Sequence, residues 1–241
     1  MPSQQAAKLM KTLYADQIDG TTEFCQFIKD SLRPDSYVLD LGCGPGRAAI
    51  DLREKCHLVV GCDVGDDVKE NNFVNARLQG NAYDLPFADG SFDVIMMDYV
   101  LEHLKTPDQC ARELFRVLKP NSRLFFRTPN LFHYVSLIAF STPHAFHEKV
   151  VQWIGQSADL HPFETYYRVN TRKAAQRCFG SAGFVPIEMR MVEKEPSYLS
   201  FARPALLLGY GYERLVNKSE RLAQLRSNIF GCFLKPDSAA R

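Results

Sequence analysis

Short apolar runs alternate with amphipathic stretches along most of the chain. A strand that is buried on both faces reads as a continuous run of aliphatic and aromatic residues, so each run predicts a β-strand. The predicted strands are Tyr37–Leu41, His57–Asp63, Ala76–Gln79, Phe92–Met97, Arg123–Arg127, Phe184–Met191 and Ile229–Leu234. The amphipathic stretches predict helices over Arg47–Lys55, Asp66–Phe73, Pro107–Leu118, Thr171–Ala182 and Arg203–Leu225. This order favours an α/β fold in which helices cover a doubly wound, mostly parallel sheet.

Three segments do not fit a minimal alternation of strands and helices. Residues 1–36 predict an N-terminal helical cap with buried positions at Leu9, Leu13, Phe24, Phe27 and Ile28. Residues 128–168 have many aromatic residues but no period, and a connection of this length predicts a lid insertion after the fifth strand. The helix over 203–225 carries an apolar stripe at helical spacing, made of Leu208, Tyr212, Leu215, Leu222 and Leu225. A length of 241 residues accommodates all of these in a single domain, 1–241.

The charge balance and the cysteines narrow the class of protein. Lys and Arg total 29 against 28 for Asp and Glu, so there is no excess of positive charge with which to bind nucleic acid. The seven cysteines are scattered, which favours reduced thiols in a cytoplasmic protein and gives no support for a metal cluster. No run approaches the roughly 18–20 apolar residues that span a bilayer. The apolar segments 131–140 and 204–211 leave membrane contact open, although core or pocket wall is the favoured interpretation.

The most informative pattern is the glycine-rich turn after the first predicted strand. Asp40 lies near the end of the apolar run, and Gly42, Gly44 and Gly46 follow at every second position. Glycine is needed where a backbone approaches a ligand closely, so the turn predicts a cradle for a nucleoside-type ligand. The stretch 37–47 resembles motif I of the class I methyltransferases that use S-adenosylmethionine. A nicotinamide cofactor is disfavoured because the dehydrogenase fingerprint G-x-G-x-x-G has a different spacing.

The resemblance implies S-adenosyl-L-methionine as the cofactor and a seven-stranded sheet whose terminal hairpin contains the helical insertion 203–225. It also implies which residues bind the cofactor. Asp40 is expected near the ammonium group, Cys43 and the three glycines along the methionine part, and Asp63 at the ribose hydroxyls. The other residues of the predicted site are Val64, Asn81 and Ala82 at the adenine, Asp98 near the methyl group, and Tyr14.

Asn81 and Tyr14 have structural alternatives. Asn81 stands where the family has an Asp that accepts the adenine amino group; an amide oxygen can also accept, but asparagine is a common turn former as well. Tyr14 resembles an aromatic residue that many relatives hold over the methionine end, where a ring attracts a sulfonium cation. Packing of Tyr14 on the core is an equally good interpretation.

Residues for the methyl acceptor are expected beyond the fourth strand and in the lid. Ligands of open α/β sheets bind at the carboxyl ends of the strands, which places Tyr99 near the acceptor. His103 is the first candidate for a general base because imidazole titrates near neutral pH; the alternative is that it only fixes the turn. His161 is the second candidate. The predicted acceptor pocket also contains His144, His147, Tyr166 and Tyr167, and each lid histidine has a surface or packing role as its alternative.

The resemblance covers 37–128 well and the rest of the chain loosely. It is strongest toward the group that includes ubiquinone, menaquinone, bacterial glycan and natural-product methyltransferases. It implies metal-free, in-line transfer of a methyl group to a small-molecule, glycan or lipid-like acceptor, with oxygen ahead of nitrogen and carbon. A non-catalytic protein that binds S-adenosylmethionine is the alternative. The apolar stripe within 203–225 also leaves a homodimer open.

Overall fold

The computed structural model describes residues 4–141 and 164–237. The chain divides into two compact units. The sheet unit comprises the described residues of 21–128, 166–190 and 229–241. The insertion unit comprises those of 1–20, 129–165 and 191–228. The single domain 1–241 and the bounds of the cap and the lid stay predictions.

Seven strands form one mixed sheet in the order β3-β2-β1-β4-β5-β7-β6. Their bounds are β1 Tyr37–Leu41, β2 Leu58–Asp63, β3 Ala76–Gln79, β4 Phe92–Asp98, β5 Leu118–Pro129, β6 Val185–Val192 and β7 Asn228–Leu234. β1 pairs in parallel with β2 and β4, and the sheet continues in parallel to β3 and β5. β7 runs antiparallel to β5, because Asn121 donates to the carbonyl of Lys235 while Asn130 donates to that of Ser227. The predicted seven-stranded, mostly parallel sheet is confirmed.

The α-helices of the described residues are α1 Gln4–Leu13, α2 Gly20–Lys29, α3 Pro107–Val117, α4 Tyr134–Ser141, α5 Arg172–Ser181 and α6 Arg203–Asn217. α3 begins with a proline, whose fixed φ suits the first helical turn. α5 begins after Thr171, whose hydroxyl accepts a hydrogen bond from the backbone N–H of Ala174. These two helices lie within one residue of the predicted bounds. Within the described ranges, no helix is both long and apolar enough to cross a membrane.

An aromatic cluster fills the core of the sheet unit. The Phe126 ring lies 5.4 Å from that of Phe179 and 5.9 Å from that of Phe233, measured between centroids. All three side chains are fully buried, and burial of each contributes about 1.5–3 kcal/mol relative to exposure. The core therefore fixes the strands firmly, and with them the positions of the strand ends.

The predicted helices Arg47–Lys55 and Asp66–Phe73 are wrong. The structure has only short 3-10 segments there, Ala48–Ile50 and Asp66–Glu70. In the first stretch, Leu52 is buried and Ile50 is half-buried. These two positions are two residues apart, so no single helix face carries both. The glycine turn after β1 is therefore followed by an irregular connection.

The helix predicted over Arg203–Leu225 ends early. α6 stops at Asn217, and a separate 3-10 segment, Glu220–Leu225, follows. Ser219 begins this segment, since its hydroxyl accepts a hydrogen bond from the backbone N–H of Arg221. The stretch therefore contains two short elements and no continuous helix.

Most of the apolar stripe predicted for this region faces solvent, although Tyr212 and Leu222 are half-buried. Leu208 and Leu215 are 76% and 58% exposed. The buried face of α6 consists of Leu206, Gly209, Glu213 and Val216. A Cβ on Gly209 would lie 2.6 Å from Cβ of Pro196, so the helix approaches its neighbour at this glycine. The face that α6 buries is therefore set by close approach at a small residue. A pattern of apolar residues does not reveal such a contact.

Candidate functional site

The glycine turn after β1 has a backbone conformation that side chains disfavour. Gly42, Gly44 and Gly46 have φ values of +73°, +50° and +80°, in the left-handed region. A Cβ on Gly42 would lie 2.3 Å from Cγ2 of Val100, and one on Gly46 would lie 2.2 Å from Oδ1 of Asn71. The turn therefore presents bare backbone and has no room for larger residues at its two ends.

Asp63, at the end of β2, anchors this turn. Its Oδ2 accepts the backbone N–H of Gly44 at 2.8 Å, and its Oδ1 accepts that of Gly65 at 2.8 Å. The side-chain amide of Asn71 donates to the carbonyl of Gly44 at 3.3 Å. A carboxylate has about four acceptor sites, so Asp63 retains lone pairs that a ligand can use.

A second acid, Asp98, ends β4 and is held by two arginines. Arg127 binds it through both oxygens, with Nε–Oδ1 at 2.5 Å and Nη2–Oδ2 at 2.6 Å, and both side chains are almost fully buried. Arg47, whose side chain is 55% exposed, places Nη2 2.8 Å from Oδ2 of the same carboxylate. The negative charge of Asp98 is thus compensated inside the protein.

The third acid, Asp40 on β1, has a pKa close to neutral pH. Burial and the neighbouring Asp98 charge raise the pKa of Asp40 to about 7, while Arg47 acts in the opposite direction. A cation placed beside Asp40 would favour its ionised form. Burial also raises the pKa of the adjacent Cys43 to about 12, so this residue stays a thiol and is not an activated nucleophile.

These groups line one recess at the carboxyl ends of β1 and β4. Its lining consists of Asp40, Gly42, Cys43, Gly46, Arg47, Ile50, Asn71, Phe73 and Asp98. Five of the predicted cofactor residues therefore meet here, namely Asp40, Gly42, Cys43, Gly46 and Asp98. Acidic, basic and apolar groups surround bare backbone, an arrangement suited to a ligand that carries charges of both signs.

The predicted adenine residues lie on the turns after β2 and β3. Val64 is 57% exposed next to Asp63. Oδ1 of Asn81 accepts a hydrogen bond from the backbone N–H of Tyr83 at 3.0 Å. Asn81 therefore stabilises a turn, which is the structural role named above as the alternative to adenine binding. That bond leaves a lone pair on the oxygen. The adenine role of Val64, Asn81 and Ala82 stays a prediction.

A second cluster forms where β4 ends in the 3-10 turn Leu101–His103. The backbone carbonyl of Glu102 accepts hydrogen bonds from the N–H groups of Tyr166, at 2.7 Å, and Tyr167, at 3.2 Å. The candidate base His103 therefore lies on the turn against which two predicted acceptor residues are held.

The Glu102 side chain joins this turn to its neighbours. The Thr128 hydroxyl donates to Oε2 of Glu102 at 3.0 Å, and the Asn170 amide donates to the Thr128 oxygen at 2.7 Å. Burial raises the pKa of Glu102 to about 8. Glu102 is therefore mostly protonated at neutral pH, and its carboxyl connects the ends of β4 and β5.

Tyr99 is positioned by the buried ion pair. It follows Asp98 with a φ of +60°, and its ring centroid lies 4.6 Å from the guanidinium carbon of Arg127. Arg127 therefore contacts a predicted cofactor residue and a predicted acceptor residue at once. Sequence reasoning did not single out Arg127, Arg47 or Asn71.

The remaining predicted residues are not placed at these clusters. Tyr14 belongs to the insertion unit, where its hydroxyl donates to Oε2 of Glu213 at 3.4 Å and its ring meets the edge of Tyr210. Burial and Glu213 raise the pKa of Tyr14 above its usual range. The structure shows its packing contacts, and its role at the cofactor stays a prediction. His144, His147 and His161 lie outside the described residues.

Replacing Gly46 with Ala should destabilise the protein by about 2 kcal/mol or more. The left-handed φ alone costs an alanine about 1–2 kcal/mol, and the new Cβ must also displace the Asn71 side chain. Gly44→Ala is the matched control, because its Cβ would lie 3.9 Å from the nearest atom, Oδ2 of Asp67. Urea unfolding of both variants measures the difference. Equal losses would mean that the Asn71 contact relaxes freely.

Residues 39–126 match a family model described as a methyltransferase domain. The chain is 33% identical to a demethylmenaquinone methyltransferase of Lactococcus lactis, over 63% of this chain and 66% of that protein. It is 38% identical to a ubiquinone/menaquinone biosynthesis C-methyltransferase, UbiE, of Vibrio campbellii, over 38% of this chain and 40% of that protein. The chain thus spans between about two fifths and two thirds of these relatives.

A solved structure gives the same architecture. The S-adenosylmethionine-dependent methyltransferase of Methanosarcina mazei superposes with a TM-score of 0.59, covering 87% of this chain and 97% of that one. The two sequences are 19% identical, so this likeness shows the fold alone.

Proposed function

Because this chain belongs to the class I S-adenosylmethionine-dependent methyltransferase family, we propose that it transfers a methyl group from S-adenosylmethionine to a hydroxyl oxygen of an aromatic small molecule. The observation that carries the choice of acceptor is the attachment of Tyr166 and Tyr167 to the turn that bears His103. The backbone of two aromatic residues is thus attached next to a candidate base, beyond the carboxyl end of β4, and open α/β sheets bind ligands at this edge.

The residues of the recess and of the glycine turn suit the chemical groups of the cofactor. The glycine turn is a cradle that a Cβ would fill at Gly42 and Gly46, so it can admit a ligand against bare backbone. Asp40 would accept a hydrogen bond from the ammonium group, since a neighbouring cation favours the ionised carboxylate that burial disfavours. Asp63 would accept the ribose hydroxyls with the lone pairs that its two backbone bonds leave.

When bound, the cofactor supplies an electrophilic methyl group on a sulfonium leaving group. The protein's own contribution is alignment of the acceptor and removal of a proton. Tyr99, Tyr166 and Tyr167 would hold an aromatic ring by stacking or edge contacts. His103 would take the hydroxyl proton onto its imidazole as the oxygen–methyl bond forms.

A second candidate is methylation of a ring carbon on the same kind of acceptor. The names of the relatives favour it, because one of them is called a C-methyltransferase. The first role of His103 is the same in both cases, since loss of the hydroxyl proton pushes electron density onto the oxygen and the ring carbons beside it. After the carbon–methyl bond forms, the proton on that carbon is lost to solvent, the ring regains its aromaticity, and the oxygen is reprotonated.

The test is turnover with a panel of hydroquinones, naphthols, aliphatic alcohols and aromatic amines, followed as S-adenosylhomocysteine formation. We expect turnover with the phenolic compounds, and NMR of the product distinguishes an O-methyl from a C-methyl group. His103→Gln should lower kcat by about 100-fold or more at pH 7 and lose less at pH 9, where the phenol ionises unaided.

His57→Gln is the control, because His57 is an exposed histidine that precedes β2 and packs its ring 5.0 Å from that of Tyr37. It should retain the original rate. Binding of S-adenosylhomocysteine without turnover on any acceptor would favour the non-catalytic alternative. An unchanged rate in His103→Gln would remove His103 as the base.

A further inference from the structure

Among the described side chains that line the recess, Arg47 is the only cation. It directly follows the glycine turn, and its guanidinium contacts Oδ2 of Asp98 at 2.8 Å. Its side chain is 55% exposed, whereas the Asp98 side chain is 4% exposed. The recess thus offers a ligand one guanidinium group that water also reaches.

The contact between Arg47 and Asp98 is dispensable for the fold. Asp98 already forms two short hydrogen bonds to Arg127, whose side chain is 3% exposed, so its charge is compensated without Arg47. The Arg47 guanidinium is half-exposed, so water solvates it when the contact breaks, and Asp98 keeps both of its hydrogen bonds to Arg127. Arg47 can therefore leave Asp98 at small cost when another anion is offered.

The backbone after the glycine turn offers an anion little help. Where a regular helix follows such a turn, the free N–H groups of its first turn bind anions. Here only the 3-10 segment Ala48–Ile50 follows, and Arg47 itself has an extended φ and ψ of −142° and 133°. An anionic group at this end of the recess therefore needs a cationic side chain.

The cofactor brings both signs of charge to the recess, an ammonium and a carboxylate on its methionine part. Asp40 is the acid suited to the ammonium. We infer that Arg47 binds the methionine carboxylate, exchanging Asp98 for it when the cofactor enters. The planar guanidinium can donate two parallel hydrogen bonds to a carboxylate, which also fixes the direction of the methionine chain. This inference rests on the proposed cofactor and is independent of the methyl acceptor.

The test compares two probes by titration calorimetry: S-adenosylhomocysteine, and S-adenosyl-3-thiopropylamine, which lacks only the carboxylate. Arg47→Gln should weaken binding of S-adenosylhomocysteine by about 10- to 100-fold, the order expected for charge-assisted hydrogen bonds. It should weaken binding of the amine much less, because only the influence of Arg47 on the charge of Asp40 acts on that probe. Arg47→Lys should fall between, since an ammonium is a point charge that does not bind both oxygens in parallel.

Arg53→Gln is the matched control, because Arg53 lies in the same connection and pairs only with Asp51 among the described side chains. It should bind both probes as the original protein does. Equal weakening of both probes by Arg47→Gln, or no weakening of either, would overturn the inference. If the original protein binds neither probe, the cofactor assignment falls and this inference with it. Absence of methyl transfer in a protein that still distinguishes the probes would leave the role of Arg47 standing.

Discussion

Replacing Arg127 with Met should lower the free energy of unfolding by about 3–5 kcal/mol. The substitution leaves Asp98 buried without the two hydrogen bonds that compensate its charge, and Arg47 remains only as a half-exposed partner. Arg127 also donates to the Thr21 hydroxyl and lies 5.4 Å from the Phe24 ring centroid, so packing is lost with the charge. Urea unfolding measures the change.

The double variant Arg127→Met, Asp98→Leu separates the charge from the packing. Removing both members of a buried pair is often neutral, whereas removing one leaves an uncompensated charge. The double variant should therefore recover a large part of the lost stability. A double variant that is less stable than Arg127→Met alone would show that the ion pair is not the source of the loss.

Replacing Asp40 with Asn should weaken binding of S-adenosylhomocysteine by about 100-fold at pH 8 and abolish the pH dependence of that binding. The pKa of Asp40 is raised to about 7 in the free protein, so the carboxyl is mainly neutral at pH 6 and mainly ionised at pH 8. The ammonium of the ligand prefers the ionised form. Affinity of the original protein should therefore rise from pH 6 to pH 8, and calorimetry at several pH values would show this.

The same raised pKa predicts an opposite effect on folding stability. An acid whose pKa rises from 3.8 to about 7 on folding binds more protons in the folded state throughout that interval. The contribution of this group to the free energy of unfolding is therefore largest below pH 4, and it is lost as the pH rises to 7. Asp40→Asn should melt at a higher temperature than the original protein at pH 8.

Asp35→Asn is the control for both predictions on Asp40. The Asp35 side chain is 80% exposed, so this variant should change neither the affinity for S-adenosylhomocysteine nor the melting temperature. A flat binding profile in the original protein would contradict the assignment of Asp40.

The strands were predictable because both faces of a covered parallel sheet demand apolar residues. β1 and β4 consist mainly of apolar residues, and all but the first residue of β1 and the second residue of β4 are buried. Once the strands are placed, the acids Asp40, Asp63 and Asp98 necessarily gather, since the carboxyl ends of parallel strands lie at one edge of the sheet.

The connections and the arginines were not predictable in the same way. A helical pattern identifies residues that share one face of a helix. Ile50 and Leu52 both turn inward although they are two residues apart, and only an irregular loop allows this. Arg127 pairs with Asp98 only because β4 and β5 are neighbours in a register that places the two residues opposite each other. The sequence carries a weak signal of this pair, an acid at the end of one strand and a base at the end of the next.

The place of β7 in the sheet has a consequence for how the protein is made. β7 separates β5 from β6, yet it follows both of them along the chain. While the ribosome is still synthesising residues up to 227, the inner edges of β5 and β6 have no strand between them, and such open edges promote self-association. We therefore expect nascent chains stalled before β7 to depend on chaperones, and this dependence to end once β7 has emerged and paired with β5 and β6.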